Sequence, residues 1–273
     1  MTRDEGAALP WVPDEVDIDS PSVARVYDYL LGGGHNFASD RELARRLVEA
    51  QPNVREIARQ NRAFLRRAVV FLLEAGVRQF LDLGSGIPTV GNVHEIAQAA
   101  APGTRVVYVD YEPVAVAHSR LLLQDNPDAV MVSADITRAS DVLDAPATRR
   151  MLDFDQPIGL LAVTIGHYIP HAADPVGLFA RYRDALAPGS HLALTHLTDD
   201  FSAVHGDRIV STMKTTRDNV FPRGRAEVLE LFTGFELVEP GLVTTSLWRP
   251  DKGVHEVRDA EQDALYAGVG RLP

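Results

Sequence analysis

The chain of 273 residues contains no cysteine, which excludes disulfide bonds, a thiolate nucleophile and cysteine-ligated zinc. Lysine is almost as scarce, since Lys214 and Lys252 are the only two and arginine supplies nearly all of the positive charge. With 27 basic and 38 acidic residues, the formal charge is −11. A negative field opposes binding to nucleic acid and to anionic membranes, so we expect neither as a partner.

Long apolar runs are also missing from the chain. No segment approaches the roughly 20 residues of a membrane-spanning helix. Residues 1–20 contain acids and prolines where a signal peptide needs a cationic start and an apolar centre. We therefore expect a cytoplasmic protein. Hydrophobic residues make up 45% of the chain, which is enough to form a sizeable core.

The spacing of apolar residues divides the chain into three parts. Residues 1–20 are predicted to be a poorly ordered lead-in, and residues 21–76 carry three successive helical patterns. Residues 77–273 alternate short β-branched runs with helical segments, which indicates a parallel sheet covered on both faces. The expected fold is doubly wound α/β, with a Rossmann-like, mostly parallel sheet of seven strands behind an N-terminal helical lid.

Five strands and several helices are predicted within the α/β part. The strands span residues 78–84, 104–110, 129–135, 157–164 and 191–197, and the helices lie around residues 90–101, 113–124, 138–153 and 174–187. An insertion that contains a helix is expected at about residues 198–223, followed by a helix at 224–232. Residues 234–248 read as a hairpin of two short strands, with its turn at Pro240 and Gly241.

The first predicted strand runs into the sequence LDLGSGIPT. It places Gly84, Ser85 and Gly86 at the carboxyl edge of the sheet, where open α/β sheets bind their ligands. A dinucleotide fingerprint needs a third glycine, but Thr89 occupies that position. The phosphate-binding pattern G-x-x-x-x-G-K-[ST] does not occur in the chain. The turn therefore suits a nucleoside better than a diphosphate.

Three acids accompany the first three strands. Asp82 lies inside the first strand, Asp110 ends the second and Asp135 ends the third. A carboxylate after the second strand can accept both hydroxyls of a ribose, while the other two suit an ammonium group and an adenine amino group. Together with the glycine turn they predict a pocket for S-adenosyl-L-methionine, and the neighbouring Tyr111 and Ile136 are assigned to the same pocket.

These features resemble the class I S-adenosylmethionine-dependent methyltransferases, and more narrowly the actinobacterial S-adenosyl methyltransferase family long catalogued as a domain of unknown function. The resemblance is carried by PSVARVYDYLLGG, NRAFLRRAV, RQFLDLGSGIPTVGNVHE, TRVVYVDYEPVAVAHSR and YRDALAPGSHLALTHLT. It implies methyl transfer but supplies no acceptor. Members usually carry a Lys-Asp pair before Asn-Phe in the glycine loop, where this chain has Gly34 and His35.

The end of the fourth predicted strand, AVTIGHYIPH, is where the acceptor is expected. Methyl transfer is an in-line displacement that depends on alignment in a dry site more than on catalytic side chains. His167 and Tyr168 are the candidates for a base and a substrate wall, and Thr164 is expected to line the cofactor. A hydrogen-bonded core histidine is an equally good interpretation of His167. No metal site is expected, because no acid completes a ligand set with the nearby histidines.

The sequence YLLGGGHNF places three glycines between two helices, which suits a loop that hinges over a ligand. The residues expected at the mouth of the site are Tyr27, His35, Asn36, Phe37, Asn61 and Arg62. After the fifth strand, His196 and Asp199 are candidates for substrate contact and equally for structural roles.

A lid on one side and the insertion on the other leave a small cavity, so we expect a small-molecule acceptor. One alternative is a non-catalytic protein that binds the cofactor without turnover, motivated by Gly34-His35 and by the lack of an unambiguous base. Another is an NAD-dependent oxidoreductase, which rests only on Gly84, Gly86 and Asp110. Monomer and dimer are both compatible with the sequence.

Overall fold

The structure is a computed structural model that describes residues 16–88, 91–214, 216, 218–251 and 263–273. The part of the predicted lead-in before residue 16 lies outside the described residues. The helices are α1 (Val23–Leu31), α2 (Ala38–Ala50), α3 (Val54–Glu74), α4 (Val93–Ala100), α5 (Pro113–Leu122), α6 (Ala139–Leu143), α7 (Pro146–Met151), α8 (Pro175–Arg183), α9 (Ala203–Met213) and α10 (Arg225–Glu230). The strands are β1 (Gln79–Leu83), β2 (Arg105–Asp110), β3 (Ala129–Ser133), β4 (Gly159–Ala162), β5 (His191–Leu197), β6 (Glu236–Leu237), β7 (Val243–Thr244) and β8 (Leu265–Arg271).

The strands form one twisted sheet in the order β3-β2-β1-β4-β5-β8-β6, with β7 also paired to β8. Strands β1 to β5 run parallel, and β8 pairs antiparallel with β5. Strand β5 pairs with one edge of β8. The short β6 and β7 pair with different parts of the other edge and act as one interrupted strand. The sheet therefore has seven positions, and the predicted Rossmann-like, doubly wound fold is confirmed.

The predicted hairpin over residues 234–248 is wrong. Strands β6 and β7 do not pair with each other; Leu237 pairs with Gly270, and Thr244 pairs with Tyr266, both on β8. The apolar pattern of the two pieces was right, but their partner lies further along the chain. Both pieces form backbone hydrogen bonds with the edge of β8 that β5 does not occupy. If the two pieces paired with each other instead, that edge would be left without partners.

Strand β8 itself went unpredicted because Gly268 and Gly270 interrupt it, and glycine lowers the preference of a segment for strand structure. The structure gives these glycines a packing role. A Cβ at Gly268 would lie 3.1 Å from the ring of Phe232, and one at Gly270 would lie 2.8 Å from the Cβ of Phe235. The two phenylalanines occupy the space that side chains on β8 would need.

Each face of the sheet is covered by helices, and side chains alternate between the two cores. On β1, Leu81 faces the core that includes α8, while Phe80 packs against Phe64 of α3. Asp82 follows the same alternation and points to the side of α3. This orientation brings its carboxylate toward Arg62, which is part of α3.

The N-terminal helices lie over the carboxyl ends of the strands. Leu30, Leu43, Ile57 and Ile209 belong to a third apolar cluster, which joins α1, α2 and α3 to α9. The helix predicted over residues 138–153 is two helices, α6 and α7, because Pro146 begins the second and disfavours a helical residue before it. No helix in the described part of the chain has the length and apolarity needed to cross a membrane.

Candidate cofactor and acceptor site

A cavity of about 970 Å³ opens at the carboxyl ends of the parallel strands, beneath α1 and α3. The end of β5, α9 and the segment after α9 form its other side. Small-molecule sites typically enclose about 300–1,000 Å³, so this volume is near the upper limit. The cavity is large enough to hold two ligands side by side.

The glycine turn after β1 forms part of the cavity wall. Gly84 and Gly86 both adopt left-handed backbone conformations, with φ of 64° and 67°. A Cβ at Gly84 would lie 2.4 Å from the Cδ1 atom of Ile165, whereas one at Gly86 would meet nothing within 4 Å. Ser85 also lines the cavity, and its amide donates to the carbonyl of Val109 at 3.0 Å. Glycine at position 84 lets Ile165, in the segment after β4, approach the turn, and glycine at position 86 leaves the turn open.

Asp82 lines the cavity and is only 7% exposed. Its carboxylate accepts no hydrogen bond from any residue in the described part of the chain. Burial raises the pKa of Asp82 to about 7, Arg62 opposes this shift and Asp110 adds to it. A buried carboxylate without a donor is costly unless a ligand supplies one, so Asp82 is a ready acceptor for a cationic group.

Asp110 lines the same wall at the end of β2. One carboxylate oxygen accepts from the amide of Gly86 at 2.8 Å, and the other from the amide of Glu112 at 2.9 Å. Burial raises the pKa of Asp110, and these hydrogen bonds oppose the shift. Tyr111 follows with its ring 47% exposed, and its hydroxyl donates to Asp218 at 2.8 Å. Tyr111 thus connects the end of β2 to the segment after α9.

Asp135 and Ile136 line the cavity beyond β3. The Oδ1 atom of Asp135 accepts from the amide and the hydroxyl of Thr137, at 2.9 and 2.7 Å. Ile136 is buried, and its carbonyl accepts from the hydroxyl of Tyr182 at 2.7 Å. These contacts fix the loop, and the second oxygen of Asp135 accepts no hydrogen bond from the described residues.

Thr164 lines the cavity after β4 in a left-handed conformation, with φ of 57°. For a β-branched residue this conformation is strained, and such strain concentrates at functional sites. Thr195 holds it there, because its Oγ1 accepts from the amide of Thr164 at 2.8 Å and donates to Asn61 at 2.8 Å. Asn61 donates in turn to the hydroxyl of Tyr27 at 2.9 Å. The network ties α1 and α3 to the ends of β4 and β5.

His167 and Tyr168 both line the cavity, and their rings lie 4.5 Å apart. The Nδ1 atom of His167 accepts from the amide of Leu197 at 3.3 Å, so the neutral ring carries its hydrogen on Nε2. Burial, followed by His196 and Arg223, lowers the pKa of His167 well below its ordinary value. This geometry favours the interpretation of His167 as a hydrogen-bonded core histidine, and its role as a base stays a prediction. Burial also raises the pKa of Tyr168.

His196 lies outside the cavity, contrary to the prediction of substrate contact. It is fully buried, with Nδ1 bonded to the carbonyl of Leu197 at 2.7 Å and Nε2 accepting from Arg223 at 2.9 Å. Arg223 also donates to the carbonyl of Ile169 at 2.7 Å. The pair fixes the loop after β4. Asp199 is exposed and does not line the cavity either.

Three residues of the glycine loop also fail to line the cavity: His35, Asn36 and Phe37. The amide group of Asn36 donates to the Oδ2 atom of Asp28, in α1, at 2.9 Å. Phe37 is buried in a small cluster with Val114 of α5, and His35 lies against His118 of α5, with 3.9 Å between ring centres. The loop therefore docks on α5, while Tyr27, Asn61 and Arg62 do line the cavity.

An ion cluster that the sequence patterns do not predict holds α1 in place. Arg25 is 3% exposed and bonds to Asp40 at 2.9 Å and to Glu112 at 3.0 Å. Glu112 also caps α5 by accepting from the amide of Ala115 at 2.7 Å. The sequence does indicate the helix-capping role of Glu112, because an acid directly before a proline is typical of the start of a helix.

Comparison with known proteins agrees with this geometry. The sequence profile described as S-adenosyl methyltransferase matches residues 10–273. The chain belongs to the S-adenosyl methyltransferase family. A search among curated proteins found no match.

Two solved structures share the fold over nearly the whole chain. A candidate methyltransferase from Thermobifida fusca YX has 42% identity and a TM-score of 0.91, with 96% of this chain and 99% of that one covered. A DUF574 family protein from Streptomyces avermitilis MA-4680 has 38% identity and a TM-score of 0.90, with 94% and 100% covered. As in the family, S-adenosyl-L-methionine is the cofactor.

The departure at Gly34 and His35 from the family pattern lies away from the cavity. Neither residue lines it, and a Cβ at Gly34 would meet nothing within 4 Å. A Cβ at position 34 would therefore displace no neighbour. The departure leaves the cavity wall unchanged.

Proposed function

We propose that the protein transfers a methyl group from S-adenosyl-L-methionine to a small-molecule acceptor. The observation that carries the proposal is Asp82, a buried carboxylate that faces the cavity, has no donor among the described residues and lies near Asp110. A cofactor with an ammonium group would supply the missing donor. The remaining cavity volume would receive the acceptor.

The donor set fits the cofactor group by group. Asp82 would pair with the ammonium, and Arg62 would receive the carboxylate of the same amino acid. Asp110 retains lone pairs for ribose hydroxyls, and the second oxygen of Asp135 would accept from the adenine amino group. When bound, the cofactor supplies an electrophilic methyl group on a sulfonium. The chain's own contribution is to orient the two ligands and to exclude water with α1 and α3.

The same donor and acceptor groups argue against a nicotinamide dinucleotide as the cofactor. A diphosphate is anionic and is normally received by backbone amides at a helix N-terminus. Here the amide of Gly86 already donates to Asp110 at 2.8 Å, and Asp82 would add repulsion. We therefore propose no hydride transfer for this site.

A second candidate is a protein that binds the cofactor without turnover. The observation in its favour is His167, whose lone pair is engaged by the amide of Leu197. An acceptor that must lose a proton before attack would find no imidazole base there. An acceptor with an available lone pair needs none, so this observation limits the chemistry without excluding turnover.

Isothermal titration tests the proposal directly. S-adenosylmethionine and S-adenosylhomocysteine should bind, and NADH should not. Asp82→Asn should weaken binding about tenfold or more by removing one charge-assisted hydrogen bond. Asp125→Asn changes an exposed carboxylate outside the cavity and should leave affinity unchanged. Absence of binding by both sulfur compounds would refute the proposal, and a labelled methyl group appearing in a metabolite extract would exclude the non-catalytic candidate.

A further inference from the structure

Part of the cavity wall lies away from Asp82, Asp110 and Asp135 in the sequence and is apolar. Leu30, Ile57, Leu197, Ile209, Met213 and Leu265 line it, contributed by α1, α3, α9 and the ends of β5 and β8. All six belong to the same apolar cluster, which is distinct from the two cores of the sheet. Polar substrates such as sugars or peptides would leave hydrogen-bonding groups unsatisfied against this wall. The acceptor must be largely apolar.

The charged groups of the cavity are mostly acidic. The described lining contains seven carboxyl groups and two guanidinium groups. Arg25 is already paired with Asp40 and Glu112, and Arg62 donates to the carbonyl of Gly91 at 2.8 Å. An anionic acceptor such as a phenolate, thiolate or carboxylate would enter a negative field. The cavity disfavours acceptors that attack as anions.

A tyrosine contacts one of these carboxylates in the cavity wall, and two further tyrosines belong to the same lining. Tyr27, Tyr111 and Tyr168 line the cavity, and Asp218 accepts from Tyr111 at 2.8 Å. Burial raises the pKa of Tyr168, and Asp218, Tyr27 and Tyr111 add to this shift. Aromatic rings beside a carboxylate stabilise a cation. The site is suited to an atom that acquires positive charge.

Two hydroxyl groups of the cavity wall already donate to backbone carbonyls. The hydroxyl of Tyr27 donates to the carbonyl of Ala58 at 3.1 Å, and that of Thr164 donates to the carbonyl of Val163 at 2.7 Å. His167 accepts from a backbone amide, as described above. With these groups engaged, only carboxylates of the lining, such as Asp218, remain to take the proton of a neutral alcohol or phenol before it attacks. A nitrogen lone pair can attack without that step.

We propose that the acceptor is a small apolar nitrogen base, an amine or an aromatic nitrogen compound, that binds uncharged. This inference rests on the proposed function. The nitrogen lone pair forms the new N–C bond while the C–S bond breaks and its electron pair remains on sulfur. The positive charge moves from sulfur to nitrogen, beside the tyrosines and Asp218. Where the product carries an N–H, its proton passes to Asp218 or to water.

A matched panel tests the substrate class by binding. Tetrahydroisoquinoline and isoquinoline are compared with naphthol and naphthoate, which have similar shape, in titrations of the protein with and without S-adenosylhomocysteine. Each nitrogen base should bind at least about tenfold more tightly than naphthoate, a difference of about 1.4 kcal/mol. Equal or stronger binding of naphthol or naphthoate would overturn the proposal, and so would failure of the whole panel to bind.

Asp218→Asn keeps an oxygen for the Tyr111 hydroxyl and removes only the charge. It should reduce the preference for nitrogen bases over naphthoate by about two- to fivefold, as expected for one partly exposed charge. Asp207→Asn is the control, because Asp207 is exposed on the neighbouring α9 and does not line the cavity. An equal effect of both variants would contradict the role of Asp218.

Transfer of a labelled methyl group gives a second readout through its pH dependence. The kcat/KM for tetrahydroisoquinoline should rise about tenfold per pH unit near neutrality, following its free-base fraction. Isoquinoline is already uncharged near neutral pH, so the pH dependence of its kcat/KM shows any titration of Asp82 or of other groups in the cavity. Methylation of naphthol alone would overturn the inference and leave the proposed function intact. Failure of the sulfur compounds to bind would instead remove the proposed function.

Discussion

Arg25 of α1 and Glu112 at the start of α5 form a buried ion pair, with 3.0 Å between Nη1 and Oε1. Asp40 completes the cluster from α2. Because the amide of Glu112 also donates to Asp110 at 2.9 Å, the cluster adjoins the predicted ribose site. The position of the N-terminal helices and the position of a cofactor carboxylate are therefore physically linked.

Replacing Arg25 with alanine should be strongly destabilising. It leaves Asp40 and Glu112 buried without their cation, and breaking a buried pair in this way typically costs about 3–5 kcal/mol. Urea denaturation measures the loss. Arg45→Ala is the matched control, because Arg45 pairs with Glu42 on the surface of α2 and such pairs contribute at most about 1 kcal/mol. Similar losses for the two variants would contradict the structural role of the cluster.

Thr195→Val tests the network that holds Thr164. Valine has nearly the same shape, but it removes an oxygen that accepts from Thr164 and donates to Asn61. Two buried polar groups then lose a partner, so the free energy of unfolding should fall by about 1–3 kcal/mol. Thr233→Val removes an exposed hydroxyl and should change it by less than about 0.5 kcal/mol. A neutral Thr195→Val variant would show that Thr164 is held by other contacts.

The two glycines of the turn provide a comparison within one loop. Both have positive φ, so alanine strains the backbone at either position. Only at Gly84 does the new Cβ collide with Ile165. Gly84→Ala should therefore be more destabilising than Gly86→Ala by about 1–3 kcal/mol. Addition of Ile165→Ala to Gly84→Ala should recover part of this difference in thermal unfolding, and no recovery would argue against the steric explanation.

The parallel sheet and the rim acids could be predicted because their signals are local. β-branched runs mark β1 to β5, and the carboxyl ends of parallel strands meet at one edge, so Asp82, Asp110 and Asp135 were placed together by topology alone. The sequence could not assign β8, since Gly268 and Gly270 lower its strand preference and its partners are distant in the chain.

The lid residues were predictable only in part, for a different reason. The spacing of apolar residues shows which face of a helix is buried, but it does not show which residues of a loop face solvent. Asn36 donates to Asp28 in the helix that precedes its loop, whereas Asn61 accepts from Thr195, which lies more than a hundred residues away. Both asparagines have the same chemistry in the sequence. Their different roles depend on tertiary contacts.

Asp82 should make the stability of the cofactor-free protein depend on pH. Its pKa is about 7 in the folded protein and 3.8 ordinarily, so the folded state retains a proton that the unfolded chain has released between these values. The contribution of this group to the free energy of unfolding therefore falls as pH rises through that window. Asp82→Asn cannot ionise. Relative to the wild type, it should gain on the order of 2–4 kcal/mol between about pH 4 and about pH 8. A constant difference would contradict the raised pKa.

Cofactor binding should show the opposite dependence on pH, because the ammonium group requires an ionised Asp82. Affinity should fall about tenfold per unit below about pH 7 and level off above it. Binding near pH 7 should also release a proton, which titrations in two buffers of different ionisation enthalpy detect. Asp82→Asn should abolish both effects, while Asp125→Asn should retain them. If wild-type affinity proved independent of pH across the window, Asp82 would not be the partner of the ammonium, even though the cofactor bound.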